Sequence, residues 1–243
     1  MATVGANRAV SWTDTSHADA AALAEAIAGL LEEAIRSGIS QRGQAVLALA
    51  GGRTPLPVYR WLAEATLDWP RVTLLATDER WVDHDHPACN TREIRAAFAA
   101  AAGVRVLPLT PAAPGPNASA RHARDTLASL TGPFDAVLLG MGSDGHFASL
   151  FPGAAELRTG LDPANPDDAL VVHPEPLPPE APYARISLSA ARLSRTRRLL
   201  LAATGAAKRA ILDRAKARPE PVTLPISALL HDDSAQVEIH WSP

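Results

Sequence analysis

The chain has 243 residues, 47% hydrophobic and 20% charged, with a formal net charge of -3, which excludes a disordered chain and a basic nucleic-acid surface. Cys89, the single cysteine, excludes an internal disulfide, and no run of about 18 apolar residues offers a membrane span. The opening MATVGANRAV lacks the charged and apolar segments of a secretory leader, so one cytoplasmic α/β domain over residues 1–243 is expected.

From Asp14 to Gly38, Leu23, Ile27, Leu30, Leu31, Ala34 and Ile35 recur at helical spacing, and Gly38 serves as the stop. AVLALA (45–50) is a short strand, the first in the chain, leading into GGRTPLPVYRWLAEA, where Thr54 caps a helix that begins at Pro55. RVTLLAT is the next strand. Asn90 with Glu93 then fits a capping box for a helix to Ala102, which Gly103 stops before the strand VRVLPL. A helix around SARHARDTLASL precedes the strand FDAVLLG, and ARISLS and RRLLLAAT read as further strands. GAAKRAILDRAKA is helical and QVEIHW closes the chain as a strand. The Pro-rich stretches PLTPAAPGP and HPEPLPPEAP read as ordered loops within the domain, because strand candidates resume after both. This alternation predicts a doubly wound, mainly parallel sheet with helices on both faces, which binds ligands beyond the carboxyl ends of its strands.

The loops after the strands therefore hold the candidate chemistry. In GGRTP (51–55), Gly51 and Gly52 let backbone N–H groups and a helix N-terminus converge, which suits an anion and equally a tight turn with a cap. No Gly-Lys-Ser/Thr follows, so a Walker loop is excluded. Asp78, Glu79 and Arg80 in TDERW leave a buried strand, where charges must meet one another, water or a ligand. His84 and His86 lie two apart in DHDHPACN with no third ligand in view, which argues against a metal, and Asn90 serves there as a helix cap.

GMGSDGHFASLFPG (140–153) matches G-x-G-x-x-G in its first six letters. A dinucleotide turn needs a helix next and an acid closing a second strand further on, but Pro152-Gly153 breaks the first and TGLDPANPDD reads as loop. What remains is a glycine loop carrying Asp144, Gly145 and His146. His146 is the general-base candidate, because imidazole exchanges protons near neutrality; a structural histidine is the alternative. Lys208 falls in the first turns of a helix, where the dipole disfavours a cation unless an anion is held there; a solvated lysine is the alternative. Arg185, leading ISLS, faces a ligand or pairs on the surface.

Taken in order, GGRTPLPVY, TDERWVDHDHPACN, GMGSDGHFASLFPG, RISLS and TGAAKRAIL resemble the 6-phosphogluconolactonase family from Leu47 to Trp241. The resemblance implies a Rossmann-like doubly wound fold shared with glucosamine-6-phosphate deaminases. It implies hydrolysis of 6-phospho-D-glucono-1,5-lactone to 6-phosphogluconate in the oxidative pentose phosphate pathway, without a metal or organic cofactor. The partner it implies is this small phosphosugar lactone, with no nucleic acid and no membrane, and a monomer is expected. By the same resemblance Gly51, Gly52, Arg53, Thr54, Arg185 and Lys208 hold the phosphate, while Asp78, Glu79, Arg80 and Asn90 line the sugar pocket. His146 activates water, Asp144 orients the loop or the water, and Gly145 belongs to the loop whose N–H groups face the developing oxyanion.

The chain departs from the family pattern at Ser143 (usually Pro), Phe147 (Thr), Cys89 (Ser) and Ser194 (Asn), and Phe147 beside His146 is expected to narrow the pocket. Deaminases carry a glutamate a few residues beyond the histidine, where this chain has Phe151. A phosphosugar sensor with a helix-turn-helix module is disfavoured because one helix alone precedes the strand at Ala45, and a dehydrogenase is a distant third.

Overall fold

A computed structural model of the chain describes residues 11–112, 116–178, 182–233 and 236–243. It opens with strand β1 (Trp12–Ser16) and helix α1 (Ala20–Arg42). Next come β2 (Ala45–Leu49), α2 (Leu56–Ala63), β3 (Val72–Ala76), β4 (Asp78–Arg80), α3 (Asn90–Ala97), β5 (Arg105–Leu107), α4 (Pro116–Ala128) and β6 (Ala136–Gly140). The second half holds α5 (Leu157–Leu161), β7 (Ala169–Val172), β8 (Arg185–Leu188), α6 (Ala190–Ser194), β9 (Leu199–Thr204), α7 (Ala206–Ala217), α8 (Ile226–Leu230) and β10 (Val237–Ser242). Among the described residues no helix is long and apolar enough to cross a membrane.

Seven strands form one sheet in the order β1-β10-β9-β6-β2-β3-β5, and every pairing in it is parallel. Its central strands are apolar on both sides because both faces are covered. In β2, β6 and β9 alternate residues divide between two cores, as the two-residue period of a strand requires. Leu47, Leu49, Ala136, Leu138, Leu200 and Ala202 pack with α1, α2 and α3. Ala48, Val137, Leu139, Leu199, Leu201 and Ala203 pack on the opposite face with α4, α7, α8 and a second sheet. That second sheet is antiparallel, in the order β4-β8-β7, and was not anticipated from sequence. Thr77 ties the two sheets together: its N–H donates to Leu49 O at 3.0 Å and its carbonyl accepts from Leu188 N at 2.9 Å.

Several sequence-based boundaries need correction. The first strand is β1, not β2: residues 12–16 pair in parallel with β10 at the sheet edge, so the helix expected from Asp14 starts only at Ala20. Asp19 caps it, accepting from Ala22 N at 2.8 Å, and Gly43 ends it in the left-handed conformation, four residues beyond Ile39, whose carbonyl takes the Gly43 N–H. Gly38, expected as the stop, lies inside α1, where a Cβ would come within 2.9 Å of the Asp135 carboxyl group. Thr54 makes no capping hydrogen bond, and α2 begins after Pro55. Cys89, not Asn90, caps α3, its sulfur accepting from Arg92 N at 3.4 Å, and the helix ends at Ala97 rather than Ala102. The start of TGLDPANPDD is not loop, since Thr159–Leu161 complete α5. The two Pro-rich stretches include residues 113–115 and 179–181, which lie outside the described residues.

Candidate functional site

Neighbouring strands β2 and β6 mark the point where the chain order of the sheet reverses: β3 and β5 lie beyond β2, and β9, β10 and β1 lie beyond β6. Loops leaving their carboxyl ends diverge and open a crevice, the usual ligand position in such sheets. The cleft found there has a volume of about 260 Å³, near the lower end of small-molecule sites (about 300 Å³), and so suits one sugar rather than a dinucleotide. It collects Gly51, Gly52, Arg53 and Thr54 from the loop after β2, and Asp78, Arg80 and Asn90 from β4 and α3. His146 enters from the loop after β6, Arg185 from β8 and Lys208 from α7.

One end of the cleft is cationic. Lys208 sits in the first turn of α7, and burial, together with the Arg53 charge, pushes its ammonium below the usual lysine value. Among the described residues neither Arg53 nor Lys208 has a carboxylate partner. Two cations beside a helix N-terminus repel each other, and an anion between them would relieve that repulsion. The Gly52 N–H is not available to that anion, because it donates to Glu93 Oε2 at 3.0 Å. Gly51 serves a close approach: a Cβ there would fall 2.0 Å from Asn90 Oδ1.

The middle of the cleft is a linked polar network. Asn90 donates from Nδ2 to the Asp78 carbonyl at 2.7 Å and accepts from Arg80 Nη1 at 2.6 Å. Arg80 Nη1 also reaches Ala88 O at 2.9 Å. The Asp78 carboxylate accepts from the Ser149 hydroxyl, whose own N–H is held by Ser187 Oγ at 3.1 Å. Arg185 is buried across from Arg80 in the β4–β8 pair; burial lowers its guanidinium to about 10, with Asp78 opposing the shift. Glu79, expected in the sugar pocket, does not line the cleft. Its fully buried carboxylate accepts from the backbone of Arg80 (2.9 Å), Asn90 (2.8 Å) and Thr91 (2.8 Å) and from the Thr91 hydroxyl (2.8 Å), anchoring the start of α3.

His146 lines the same cleft from the loop after β6. The chain after β6 turns through Gly142–His146 with no helix following directly, so the dinucleotide fingerprint is not used. Asp144 Oδ1 lies 2.6 Å from His146 Nδ1 and also accepts the His146 N–H at 3.1 Å. Burial pushes the Asp144 carboxyl upward, but the His146 hydrogen bond and charge hold it below the usual carboxylate range. Gly142 makes room for the ring: a Cβ there would fall 2.2 Å from both Cε1 and Nδ1. Gly145 is buried below the loop, and its carbonyl accepts from Ile226 N at 2.9 Å.

Phe147 does not narrow the cleft, because its side chain is fully buried in the core. Phe151 is the aromatic residue at the site, with its ring centroid 4.2 Å from that of His146. Of the other departures, Ser143 is exposed and Ser194 is buried at the end of α6, outside the cleft. Cleft residues that the sequence did not single out for a role include Thr77, Ala148, Ser149 and Pro178, although Ala148 and Ser149 stand in the 140–153 motif. His84 and His86 bind locally: His84 Nε2 to Thr110 O at 2.9 Å and His86 Nδ1 to Ala88 N at 3.0 Å. Among the described residues no three His, Cys, Asp or Glu side chains gather as metal ligands.

A family model for glucosamine-6-phosphate isomerases/6-phosphogluconolactonase matches residues 18–241. The 6-phosphogluconolactonase of Caulobacter vibrioides is 40% identical over 222 residues, covering 90% of this chain and 93% of that protein. That of Pseudomonas putida is 37% identical over 228 residues, covering 93% and 91%. The crystal structure of a 6-phosphogluconolactonase from Shewanella baltica superposes with a TM-score of 0.88 at 30% identity, covering 98% of this chain and 99% of that one. By sequence over nearly its whole length, and by a fold whose strand ends build a phosphosugar-sized cleft, the chain belongs to the glucosamine-6-phosphate isomerase/6-phosphogluconolactonase family.

Proposed function

We propose that the chain hydrolyses 6-phospho-D-glucono-1,5-lactone to 6-phospho-D-gluconate, the step that opens the lactone in the oxidative pentose phosphate pathway. The observation that carries this is the 2.6 Å contact between Asp144 and His146, the latter lining the cleft that also holds Arg53 and Lys208. Arg53, Thr54 and Lys208 hold the 6-phosphate, with Arg185 as a further cation, while Asp78, Arg80 and Asn90 meet the sugar hydroxyls. Asp144 takes the Nδ1 proton of His146 as a hydrogen bond, which leaves Nε2 to accept a proton from water.

The resulting hydroxide adds to the lactone carbonyl at C1, and the ring bond from C1 to the ring oxygen breaks. The proton taken by His146 passes to that departing oxygen, so one water is consumed and the ring opens to a carboxylic acid, which ionises. Charge on the carbonyl oxygen in between is met by a cleft cation, because the N–H groups of Gly142, Gly145 and His146 are already donated within the loop. These steps use side chains and water only. A lactone is an activated ester, so positioning and one base suffice.

The test is the disappearance of lactone generated in situ by glucose-6-phosphate dehydrogenase, measured against spontaneous hydrolysis. Acceleration by the wild type, lost in His146→Asn while 6-phosphogluconate still binds, supports both reaction and base. Equal acceleration by the two proteins refutes the base, and no acceleration by the wild type refutes the reaction. A deaminase role is opposed by Phe151, which lies against His146 where the resemblance places the deaminase acid.

A further inference from the structure

The imidazole of His146 is held on three sides. Asp144 takes Nδ1, the Gly142 backbone lies so close to the Cε1–Nδ1 edge that no side chain fits there, and Phe151 lies against the ring face at 4.2 Å with an interplanar angle of 37°. A base on the loop between β6 and α5 has few restraints of its own, and the side chain of His146 keeps 28% of its surface exposed. The hydrogen bond to Asp144 fixes one atom of the ring but not rotation about the Nδ1···Oδ1 line. An aromatic face is the restraint that removes that rotation: paired rings prefer centroid separations of about 4.5–7 Å, and this pair, at 4.2 Å, is packed slightly closer still.

Phe151 is itself anchored. Its carbonyl accepts from Ala154 N at 3.3 Å, closing the turn through Pro152 and Gly153, and Leu150 directly before it is fully buried in the core. The turn therefore delivers an aromatic ring to the wall of the cleft, against the base. Phe147, the aromatic residue adjacent to His146 in sequence, is committed to the core and leaves this task to Phe151.

We propose that Phe151 is a positioning residue for His146, fixing the imidazole plane so that Nδ1 stays on Asp144 while Nε2 is presented to the attacking water. This rests on the lactonase reading above. Phe151 contributes no group to the chemistry, and its effect passes entirely through the orientation of the histidine.

The experiment compares Phe151→Ala, Phe151→Leu and Phe151→Tyr with the wild type in the in-situ lactone assay, alongside thermal unfolding and 6-phosphogluconate binding. Phe151→Ala is expected to lower kcat ten- to about a hundredfold, the scale of a catalytic group displaced by about 1 Å, with KM and product binding close to the wild type. Phe151→Tyr restores kcat because the ring face is retained, and Phe151→Leu does not. In a His146→Asn background, Phe151→Ala adds no further loss, because the residue it positions is gone.

A raised KM with unchanged kcat overturns the proposal by making Phe151 a substrate contact. An additive loss in the double variant, or a Leu variant as active as Tyr, overturns it by making the residue a general packing group. Failure of the wild type to accelerate lactone hydrolysis sinks the lactonase reading instead, so the two failures are separable.

Discussion

Gly142→Ala is the substitution that most directly tests whether the imidazole is held where the geometry puts it. The added Cβ would fall 2.2 Å from His146 Cε1 and Nδ1 and 2.6 Å from Asp144 Oδ1. Ordinary contacts between non-bonded carbon atoms begin near 3.5 Å, so the ring must retreat by about 1.3 Å or the loop must open by as much. Gly142 is not in the left-handed region, so the substitution acts through the ring and the Asp144 carboxylate that holds it. A displacement of about 1 Å in a catalytic group costs about a hundredfold in rate, which corresponds to about 2.7 kcal/mol of barrier.

The assay is kcat on in-situ lactone, with 6-phosphogluconate affinity and thermal midpoint measured in parallel. Gly132→Ala is the control, since a Cβ there meets nothing within 4 Å, and it should match the wild type throughout. The expected outcome is a large loss of kcat in Gly142→Ala with product affinity and folding retained, because the nearest atoms the added Cβ meets are those of His146 and Asp144, not Arg53 or Lys208. A folded Gly142→Ala protein with kcat within about threefold of the parent would refute the imidazole geometry and the base assignment built on it.

Lys208→Ala should act in the opposite sense: it removes a charged hydrogen-bond donor worth about 1.5–3 kcal/mol, so calorimetry should show 6-phosphogluconate binding weakened by about tenfold or more. Unchanged affinity would move the phosphate site elsewhere. His240 tests a pH effect. Burial, helped by His17 and Arg198, lowers its imidazole to about 4, while in the unfolded chain it titrates near the ordinary histidine value of 6.5. The unfolded state therefore binds the additional proton first, and stability present above about pH 6.5 is lost as pH falls towards about 4, by up to about 3 kcal/mol. Urea unfolding of wild type and His240→Asn at several pH values checks this; an equal slope in both proteins between pH 6.5 and 4 contradicts it.

The parts of the fold that were legible in the sequence are those with apolar residues on both strand faces. β2, β3, β6 and β9 are almost entirely buried and announce themselves as apolar runs. β1 does not, because WTDTS is an edge strand with one neighbour, and its Asp14 serves Lys216 and Arg209 of α7 rather than the core. β4 is three charged residues, extended because β8 pairs with it and not because of any propensity of Asp, Glu and Arg. The same strand explains the misplacement of Glu79. Side chains alternate across a strand, so Asp78 and Arg80 share the cleft side while Glu79 turns to the start of α3. Reading TDERW as a strand, with its period of two, would have separated these roles.

Much of the site was legible for a different reason. Asp78, Arg80 and Arg185 lie within β4 and β8, but Arg53, Thr54, His146 and Lys208 stand in a loop or helix start just past a strand, where burial and backbone pairing place the fewest demands on side-chain identity. That position also explains why the G-x-G-x-x-G match misleads. In a dinucleotide site the glycine turn and the anion-binding helix are consecutive, whereas here they are divided among strands. β9 runs through Gly205, at φ +87, into α7 and its Lys208, supplying the positive helix end. The turn after β6 is left without a helix, and its glycines serve the imidazole instead, with Gly142 giving it room and Gly145 tying the loop to Ile226. A helix in that position would aim its positive end at His146 and oppose the protonation a general base must undergo. Separating the anion site from the base keeps each group in the field its chemistry requires.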